Sequence, residues 1–343
     1  MRRRNIVVIG ASAGGIEATK ALLSYLPANL PASLLIVQHQ SSSSEGYLYR
    51  VLQSHSLLPV QRVDELLPLC EGQVYVAPPD KHIVLSGDAV VPTGGPRENR
   101  ARPAINPLFR TAAAQHDSRV VGILLSGMLD DGVAGLHAIQ RCSGIIVVQD
   151  PEETDFPFMP RNAIKALNVD HILPVKKIAE LIVELANTEV SKGNIPQDVK
   201  IEAEMNGPQR SEVYELQHIG KLVPAACPDC GGPLWQVGEN ETAIYRCHVG
   251  HGNSALALLQ SQSDEIEQSL WAAVRALTER GTTLNKLAES SEQRSPRLAQ
   301  EFRQQAIETH NRSEQARQFL LSLRANNKDS DLIAEKAEHD RSE

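Results

Sequence analysis

The first half of the chain alternates short, largely apolar runs with segments of helical length. The runs, rich in valine, isoleucine and leucine, cover residues 5–9, 34–37, 73–76, 120–125 and 145–148. Such runs are typical of strands that are buried on both faces of a sheet. Helix-length segments such as 15–26 and 132–141 separate several of them. This alternation predicts an α/β fold, with a doubly wound, mostly parallel sheet and helices on both faces.

The rest of the sequence predicts additions to this domain. Residues 82–85 and 89–91, joined around Ser86-Gly87-Asp88, predict a β-hairpin, and residues 177–186 predict the helix that closes the domain. A polar stretch with Pro196 and Pro208 then indicates a linker. The predicted boundaries are an α/β domain over 1–187, a linker over 188–221, a cysteine-rich module over 222–262, a helical hairpin over 263–325 and a disordered tail over 326–343.

Apolar residues near the C-terminus recur at the spacing of an α-helix. Leu270 and Val274 belong to one apolar stripe, and Leu298 and Phe302 belong to a second one. Ser295-Pro296 between them suits an N-cap followed by proline in the first turn. We therefore expect an antiparallel helical hairpin, which packs on itself, on the first domain or, as a homo-oligomer, on a second copy of the chain.

Charge and hydropathy argue against two kinds of partner. The chain has 34 Lys and Arg against 42 Asp and Glu, a net charge of −8. Phosphate backbones call for basic surfaces, so we expect no nucleic-acid partner. No apolar run approaches the roughly 20 residues that span a bilayer, which predicts no membrane insertion.

The N-terminus has the composition of a signal peptide but not its length. Arg2-Arg3-Arg4 precedes an apolar stretch and the small residues Ala11-Ser12-Ala13. Cleavage there would leave a prefix shorter than the roughly 15 to 30 residues of a secretory signal. We interpret the stretch as a first buried strand and expect a cytoplasmic protein.

A glycine-rich turn follows this first predicted strand. Gly10-Ala11-Ser12-Ala13-Gly14 fits the pattern G-x-S-x-G at a strand-to-helix junction. Such a turn presents a serine hydroxyl beside helix N-terminal N–H groups that can stabilise an oxyanion. Two alternatives remain: glycines that only allow close packing, or glycines that cradle a dinucleotide phosphate. The second alternative, a nucleotide-binding oxidoreductase, is disfavoured because His39 stands where an acidic residue is expected.

Two further strand ends carry ionisable residues. His39 ends the second predicted strand, and Asp130-Asp131 follow the strand that begins at Val120. Neighbouring parallel strands end at the same edge of a sheet, so His39 can face Ser12 while an aspartate orients its imidazole. The alternatives are a structural or merely exposed His39 and an aspartate that only caps the following helix.

These motifs resemble, in order, those of the chemotaxis protein-glutamate methylesterase catalytic domains. The resemblance covers about residues 4–186, and its specificity lies in the ordered set rather than in any single segment. The segments are Gly10-Ala11-Ser12-Ala13-Gly14-Gly15, Val37-Gln38-His39, Tyr75-Val76-Ala77-Pro78-Pro79, Asn99-Arg100-Ala101-Arg102-Pro103, Asn106-Pro107-Leu108-Phe109, Gly127-Met128-Leu129-Asp130-Asp131-Gly132 and Met159-Pro160-Arg161-Asn162-Ala163-Ile164.

The resemblance implies a serine esterase mechanism. Ser12 would be the nucleophile, His39 the general base and acid, and Asp131, rather than Asp130, the carboxylate that orients His39. It also implies positions at the oxyanion site or the active-site edge for Ala13, Met128 and Arg102.

The implied reaction is hydrolysis of glutamate γ-methyl esters on methylated chemoreceptor-like proteins, without a catalytic cofactor. The family can also deamidate receptor glutamines by the same acyl chemistry. Its members usually carry an N-terminal receiver domain, and since the first strand begins at Asn5 we expect a receiver-less variant. The alternative function is a signalling or scaffold protein with a repurposed or inactive esterase domain.

Cysteine and histidine residues form a second constellation. Cys227 and Cys230 make one knuckle, and Cys247 and His251 supply two more ligands. Four such ligands suit a structural Zn²⁺ without an open coordination position. His248 is the alternative to His251 as the fourth ligand. As the immediate neighbour of Cys247, however, it would have difficulty reaching the same ion. A disulfide or a chance cluster is the alternative. The pattern resembles the zinc-ribbon module behind some receiver-less methylesterase-like domains, and so short a segment would depend on its metal for stability.

Overall fold

The elements follow the order predicted for an α/β domain with C-terminal additions. The computed structural model describes residues 2–206 and 216–339. The strands are β1 (Ile6–Ala11), β2 (Ser33–Gln38), β3 (Val60–Arg62), β4 (Leu67–Pro68), β5 (Val74–Val76), β6 (His82–Ser86), β7 (Ala89–Thr93), β8 (Val120–Leu124), β9 (Ile145–Gln149), β10 (His171–Leu173), β11 (Gly220–Ala226), β12 (Pro233–Val237), β13 (Ile244–Cys247) and β14 (Gly252–Ser254). The α-helices are α1 (Gly15–Ser24), α2 (Leu48–Gln53), α3 (Ile105–His116), α4 (Val133–Arg141), α5 (Phe158–Ala166), α6 (Val175–Ala186), α7 (Gln197–Asn206), α8 (Leu216–Ile219), α9 (Ala255–Ser291) and α10 (Pro296–His339).

Seven strands form the central sheet, in the order β10-β9-β8-β1-β2-β5-β3. Its hydrogen-bonded pairs are all parallel. Strands that follow β1 in sequence lie on both sides of it, so the sheet is doubly wound and the carboxyl ends of β8, β1 and β2 lie side by side. The predicted fold class is confirmed. The predicted hairpin is also present, as the antiparallel pair β6 and β7.

Strand β1 shows why both faces of the sheet are covered. All six of its residues are buried, with Ile6 and Val8 in one hydrophobic cluster and Val7 and Ile9 in the other. Side chains alternate between the faces of a strand, so a continuous apolar run needs packing partners on both sides. Helix α3 contributes to the first cluster, and α1 and α6 contribute to the second.

The predicted linker over 188–221 contains an ordered helix. In α7, Val199 and Ala203 are buried, and Val199 belongs to a core cluster of the α/β domain. Asp198 forms an ion pair with Arg141 at 2.6 Å. Val199 and Ala203 are four residues apart, so one face of a short helix buries both. Two small apolar residues within a polar stretch gave too weak a periodicity to predict it, and Pro208 lies outside the described residues.

The four strands β11 to β14 form an antiparallel sheet, which we call the ribbon. Its small core contains Cys227, Leu234, Cys247 and Leu258. The ribbon belongs to the same compact unit as the α/β domain, Met1–Leu259. It is therefore packed on that domain.

A buried ion-pair cluster connects the ribbon with the α/β domain. The Glu98 carboxylate accepts hydrogen bonds from Arg110 of α3 at 2.7 Å and from Arg246 of β13 at 3.1 Å. All three residues are at most 1% exposed. Burial by itself raises the pKa of Glu98, but the two guanidinium groups outweigh it and hold the pKa at about 2. Glu202 of α7 contacts the same two arginines, at 3.5 and 3.3 Å.

Replacing Glu98 by glutamine is expected to lower the free energy of unfolding at pH 7 by about 3 kcal/mol, because two buried guanidinium groups lose their shared counter-charge. The pKa of Glu98 in the folded state lies below its ordinary value of 4.5, so the contribution is present above that pH and is lost as the pH falls towards 2. Urea unfolding at several pH values measures it. Glu202→Gln is the control, with a smaller loss expected because Glu202 is more exposed. Unchanged stability of Glu98→Gln at pH 7 would contradict this role.

The second compact unit, Gln260–Glu343, contains the C-terminal helices. Within it α9 and α10 pack against each other as an antiparallel pair, with Thr278 hydrogen-bonded to Ser313 at 3.1 Å and Glu292 paired with Arg303. The predicted helical hairpin is confirmed. None of the helices over 2–206 and 216–339 is both long and apolar enough to cross a membrane. Contact of this hairpin with a second copy of the chain stays a prediction.

The structure differs from the prediction of a disordered tail over residues 326–343. Helix α10 continues to His339, and residues 340–343 lie outside the described part of the chain. Residues 332–337 are leucine, isoleucine, alanine, glutamate and lysine, mostly good helix formers. Their charge suggested disorder, whereas their intrinsic propensity favours continuing a helix that is already nucleated.

Candidate active site and metal centre

Ser12 follows β1 in a tight turn that leads into α1. Gly14, at the N-cap of α1, has a φ of 71°, a left-handed conformation that glycine adopts without strain. The Ser12 carbonyl oxygen accepts hydrogen bonds from the Gly15 N–H at 2.9 Å and from the Gln38 side chain at 2.7 Å. These bonds fix the turn, with Ser12 half-buried at the carboxyl edge of the sheet.

His39 stands next to Ser12 because β2 pairs with β1 in parallel, with Gln38 opposite Ala11. Its Nδ1 lies 3.1 Å from the Ser12 Oγ, and its Nε2 lies 2.7 Å from an Asp131 carboxylate oxygen. An ionised carboxylate only accepts, so Nε2 carries the proton and Nδ1 presents a lone pair to the Ser12 hydroxyl. In chymotrypsin the Nε2 of the histidine faces the serine and the Nδ1 faces the aspartate. Here the two ring nitrogens are reversed, but the connectivity serine–histidine–aspartate is the same.

Asp131 is buried, 2% exposed, and accepts hydrogen bonds on both carboxylate oxygens. The oxygen that contacts His39 also accepts the Ile105 N–H at 2.7 Å. The other accepts the Asn99 side-chain amide at 2.9 Å and the Gly132 N–H at 3.0 Å. Ile105 is the first residue of α3, whose positive N-terminal end suits a negative charge at this position.

Asp130 has different contacts. Its carboxylate accepts the hydroxyl of Ser254 at 2.6 Å. Burial raises the pKa of Asp130 to about 6, as does the nearby charge of Asp131, although the Ser254 hydrogen bond opposes the shift. Of the two adjacent aspartates, the structure places Asp131 against His39.

Two positions predicted to contribute to an oxyanion site flank Ser12. Ala13 belongs to the same turn, and its carbonyl oxygen accepts the Ser126 hydroxyl at 2.9 Å. Met128 is exposed and follows Gly127, where a Cβ atom would lie only 2.8 Å from the Ser12 Cβ. A side chain at Gly127 would therefore push the two turns apart. The turn that carries Met128 lies directly against Ser12.

Arg102, which was predicted at the active-site edge, contacts the segment just before β6 and the segment just after β7. It pairs with Asp80 at 2.8 Å and donates a hydrogen bond to the Gly95 carbonyl oxygen at 3.0 Å. Its place at the edge of the active site stays a prediction.

A cavity of about 460 Å³ opens beside the Ser12 turn. Gly14, Ser126 and Phe156 are among the residues in its wall. Two of these residues belong to the surroundings of the Ser12 turn: Gly14 is the N-cap of α1, and Ser126 donates a hydrogen bond to the Ala13 carbonyl oxygen.

The four predicted metal ligands come together in the ribbon. The ligand atoms of Cys227, Cys230, Cys247 and His251 all lie within 4.8 Å of one another. The Sγ atoms of Cys230 and Cys247 are 3.6 Å apart, and the Cys247 Sγ is 3.5 Å from the His251 Nδ1. Tetrahedral zinc with bonds of about 2.3 Å to sulfur would separate two sulfurs by roughly 3.8 Å, so the donor set fits a single tetrahedral ion.

Other features of the ribbon agree with this donor set. The cysteines are free, not disulfide-bonded. Burial raises the pKa of the Cys227 thiol to about 12, so a thiolate at that position calls for a cation to compensate its charge. His248 lies outside the cluster, with its ring against Gly232. The structure therefore brings His251, and not His248, to the three cysteines.

Comparisons with known proteins agree with this geometry. The sequence profile of the family described as CheB methylesterase matches residues 7–182. A protein of Leptospira interrogans, provisionally named protein-glutamate methylesterase/protein-glutamine glutaminase, is 39% identical over 180 residues, which are 52% of this chain and 93% of that protein. The chain belongs to the CheB methylesterase family. The resemblance seen in the sequence motifs is confirmed.

Other CheB family members give the same picture of the α/β domain. The crystal structure of the Thermotoga maritima CheB methylesterase catalytic domain superposes with a TM-score of 0.51 and 31% identity, and covers 53% of this chain and 98% of that domain. A Methanosarcina mazei protein-glutamate methylesterase/protein-glutamine glutaminase is 34% identical over 190 residues. This match covers 53% of the chain and 52% of the M. mazei protein, about half the length of each.

Several residues around the site were not assigned a role from the sequence. Gln38 and Asn99 stood within recognised motifs, yet only the structure shows their hydrogen bonds to Ser12 and Asp131. Ser254, more than 120 residues after Asp130, could not be connected with it by any local pattern. Long-range contacts of this kind leave no periodic signal in a single sequence.

Proposed function

We propose that the chain is a protein-glutamate methylesterase that hydrolyses glutamate γ-methyl esters on chemoreceptor-like proteins. The continuous hydrogen-bonded series Ser12–His39–Asp131 is the observation that carries this proposal. Membership of the CheB methylesterase family supports the reaction class. A scaffold protein that had lost the chemistry would have no need for three side chains held at these distances.

In the proposed reaction the Ser12 Oγ attacks the ester carbonyl carbon while the His39 Nδ1 takes the hydroxyl proton. The tetrahedral intermediate collapses, the C–O bond to the methoxy group breaks, and His39 returns the proton to the leaving methanol. Water, deprotonated by the same nitrogen, then attacks the acyl carbonyl carbon, the bond from that carbon to the Ser12 Oγ breaks, and His39 returns the proton to Oγ as the glutamate carboxylate leaves. The charge on Asp131 stabilises the imidazolium in both steps.

The oxyanion of the tetrahedral intermediate would form between the two turns that meet at Ser12. Ala13 lies at the N-terminal end of α1, where backbone N–H groups favour negative charge, and Met128 lies in the facing turn. We assign the oxyanion contacts to the backbones of these two residues and the active-site edge to Arg102. Release of ammonia from a glutamine side chain uses the same acyl chemistry, so glutamine deamidation is a second reaction of the same site.

Methanol release from the cytoplasmic helical segment of a chemoreceptor, methylated on its glutamates, tests this function. We expect release from the methylated segment, none from the unmethylated one, and slower release from free glutamate γ-methyl ester at the same ester concentration. Hydrolysis of the small ester alone would contradict a receptor-like substrate. Failure to release methanol from either ester would contradict the esterase function.

For the ribbon we propose a structural Zn²⁺ held by Cys227, Cys230, Cys247 and His251, with no catalytic part. We expect the chain to bind equimolar zinc, and Co²⁺ to give thiolate-to-metal absorption bands. His251→Ala should weaken binding, whereas the matched change His248→Ala should leave it intact. Equal losses in the two variants would contradict the ligand assignment.

Free cysteines and thiolate ligands suit a reducing compartment, and we propose the cytoplasm as the location.

A further inference from the structure

Asn99 connects the ribbon with the proposed triad. Its side-chain amide donates to Asp131 at 2.9 Å, and its side-chain oxygen accepts the Ser254 N–H of β14 at 2.7 Å. Its own N–H donates to the Gly252 carbonyl oxygen, again in β14, at 2.8 Å. Asn99 is 8% exposed, so these bonds are shielded from water.

The backbone conformation of Asn99 is specific to this position. Its φ is 50°, in the left-handed region that asparagine and aspartate tolerate better than other residues with a side chain. The preceding residue is Glu98, which is fixed by two buried arginines. Asn99 is therefore held from three directions: by Glu98 along the chain, by β14 and by the Asp131 carboxylate.

The same short strand β14 lies next to the metal ligands. His251 immediately precedes Gly252, and Cys247 ends β13, the strand that pairs with β14. The Cys247 N–H also donates to the His251 carbonyl oxygen at 3.0 Å. An ion held by Cys247 and His251 would thus fix the backbone that holds Asn99.

We propose that Asn99 is a positioning residue through which the metal-bound ribbon orients the Asp131 carboxylate towards His39. This inference rests on the proposed esterase function and adds a task for the ribbon. The Asn99 donor fixes one carboxylate oxygen, so that the other stays directed at the imidazole. The metal itself takes no part in the chemistry.

Asn99→Asp is the most direct variant, because it keeps the size and the backbone preference of the side chain but replaces the donor by an acceptor. We expect kcat for methylated receptor segments to fall at least roughly 10- to 100-fold with KM little changed, because the variant removes one hydrogen bond to a charged group and places a second carboxylate against Asp131. Asn187→Asp, at the C-terminal end of α6, adds the same charge at the opposite edge of the sheet and should leave kcat unchanged.

A structural readout separates positioning from a general loss of stability. In wild type the His39 Nε2–H bound to Asp131 should give a far-downfield proton resonance, which Asn99→Asp should weaken or shift at a temperature where circular dichroism shows that the α/β domain is still folded. The double variant Cys227→Ser/Cys230→Ser, confirmed to be metal-free, should change the same resonance and lower kcat in the same direction.

Each arm can overturn the proposal. Wild-type kcat and an unchanged resonance in Asn99→Asp would remove Asn99 from this role, even if the double cysteine variant failed to fold. A folded, metal-free cysteine variant with wild-type resonance and kcat would show that the metal-bound ribbon does not orient Asp131. Absence of methanol release from wild type would instead contradict the esterase function, while the resonance would still report on the position of Asp131.

Discussion

Replacing Asp131 by asparagine is expected to lower kcat for methyl ester hydrolysis by about 10⁴-fold, the effect known for removing the charge of a triad aspartate. An amide NH₂ next to the His39 Nε2 would donate to it, so the ring proton would move to Nδ1. Nδ1 could then no longer accept the proton of Ser12. KM should change little, because Asp131 is buried behind His39 and does not face a substrate.

The surroundings of Asp131 make this substitution unusually unfavourable. One carboxylate oxygen accepts the Ile105 N–H and the other accepts the Asn99 amide and the Gly132 N–H. Either orientation of an asparagine side chain therefore places its NH₂ group against another donor. We expect the free energy of unfolding to fall by about 1–3 kcal/mol in addition to the loss of activity.

Steady-state kinetics, with circular dichroism to verify folding, measure the two effects separately. Asp130→Asn is the matched control. Its amide oxygen can still accept the Ser254 hydroxyl, and the carboxylate that contacts His39 is that of Asp131. This variant should keep kcat within about tenfold of wild type, because a single neutral hydrogen bond is worth about 1 kcal/mol. If Asp130→Asn lost more activity than Asp131→Asn, the assignment of the two aspartates would be reversed.

The sequence predicted the parts of the fold that depend on local patterns. Apolar runs such as the one that became β1 identified strands buried on both faces, and the pattern Gly10-Ala11-Ser12-Ala13-Gly14 identified a strand-to-helix turn. Parallel neighbours end at one edge, so His39 could be predicted to face Ser12 once those two strands were taken as neighbours. The cluster of three cysteines and His251 was predictable because the spacing of these residues along the chain is itself the signal.

Contacts between distant segments could not be predicted in this way. Helix α7 was taken for part of a linker, because its buried Val199 and Ala203 stand among polar residues. Arg246 was assigned no role from the sequence, yet it is fully buried against Glu98, 148 residues earlier. Such pairs are decided by how the ribbon packs on the α/β domain, and this packing also determines the surroundings of Asn99.

The nucleophile is the centre of the proposed mechanism, and its removal should have the largest effect. Ser12→Ala leaves His39 and Asp131 in place but provides no oxygen to attack the ester, so we expect kcat to fall by about 10⁶-fold, as in other triad enzymes. Ser126→Ala is the matched control. It removes one hydroxyl from the neighbouring strand end and one hydrogen bond to the Ala13 carbonyl oxygen.

Methanol release from a methylated chemoreceptor segment by wild type, Ser12→Ala and Ser126→Ala is the most direct measurement of this chemistry. We expect rapid release by wild type, release by Ser126→Ala within about tenfold of it, and none above background by Ser12→Ala. Release by Ser12→Ala at a rate comparable to wild type would contradict the assignment of Ser12 as nucleophile, and with it the mechanism proposed for this chain.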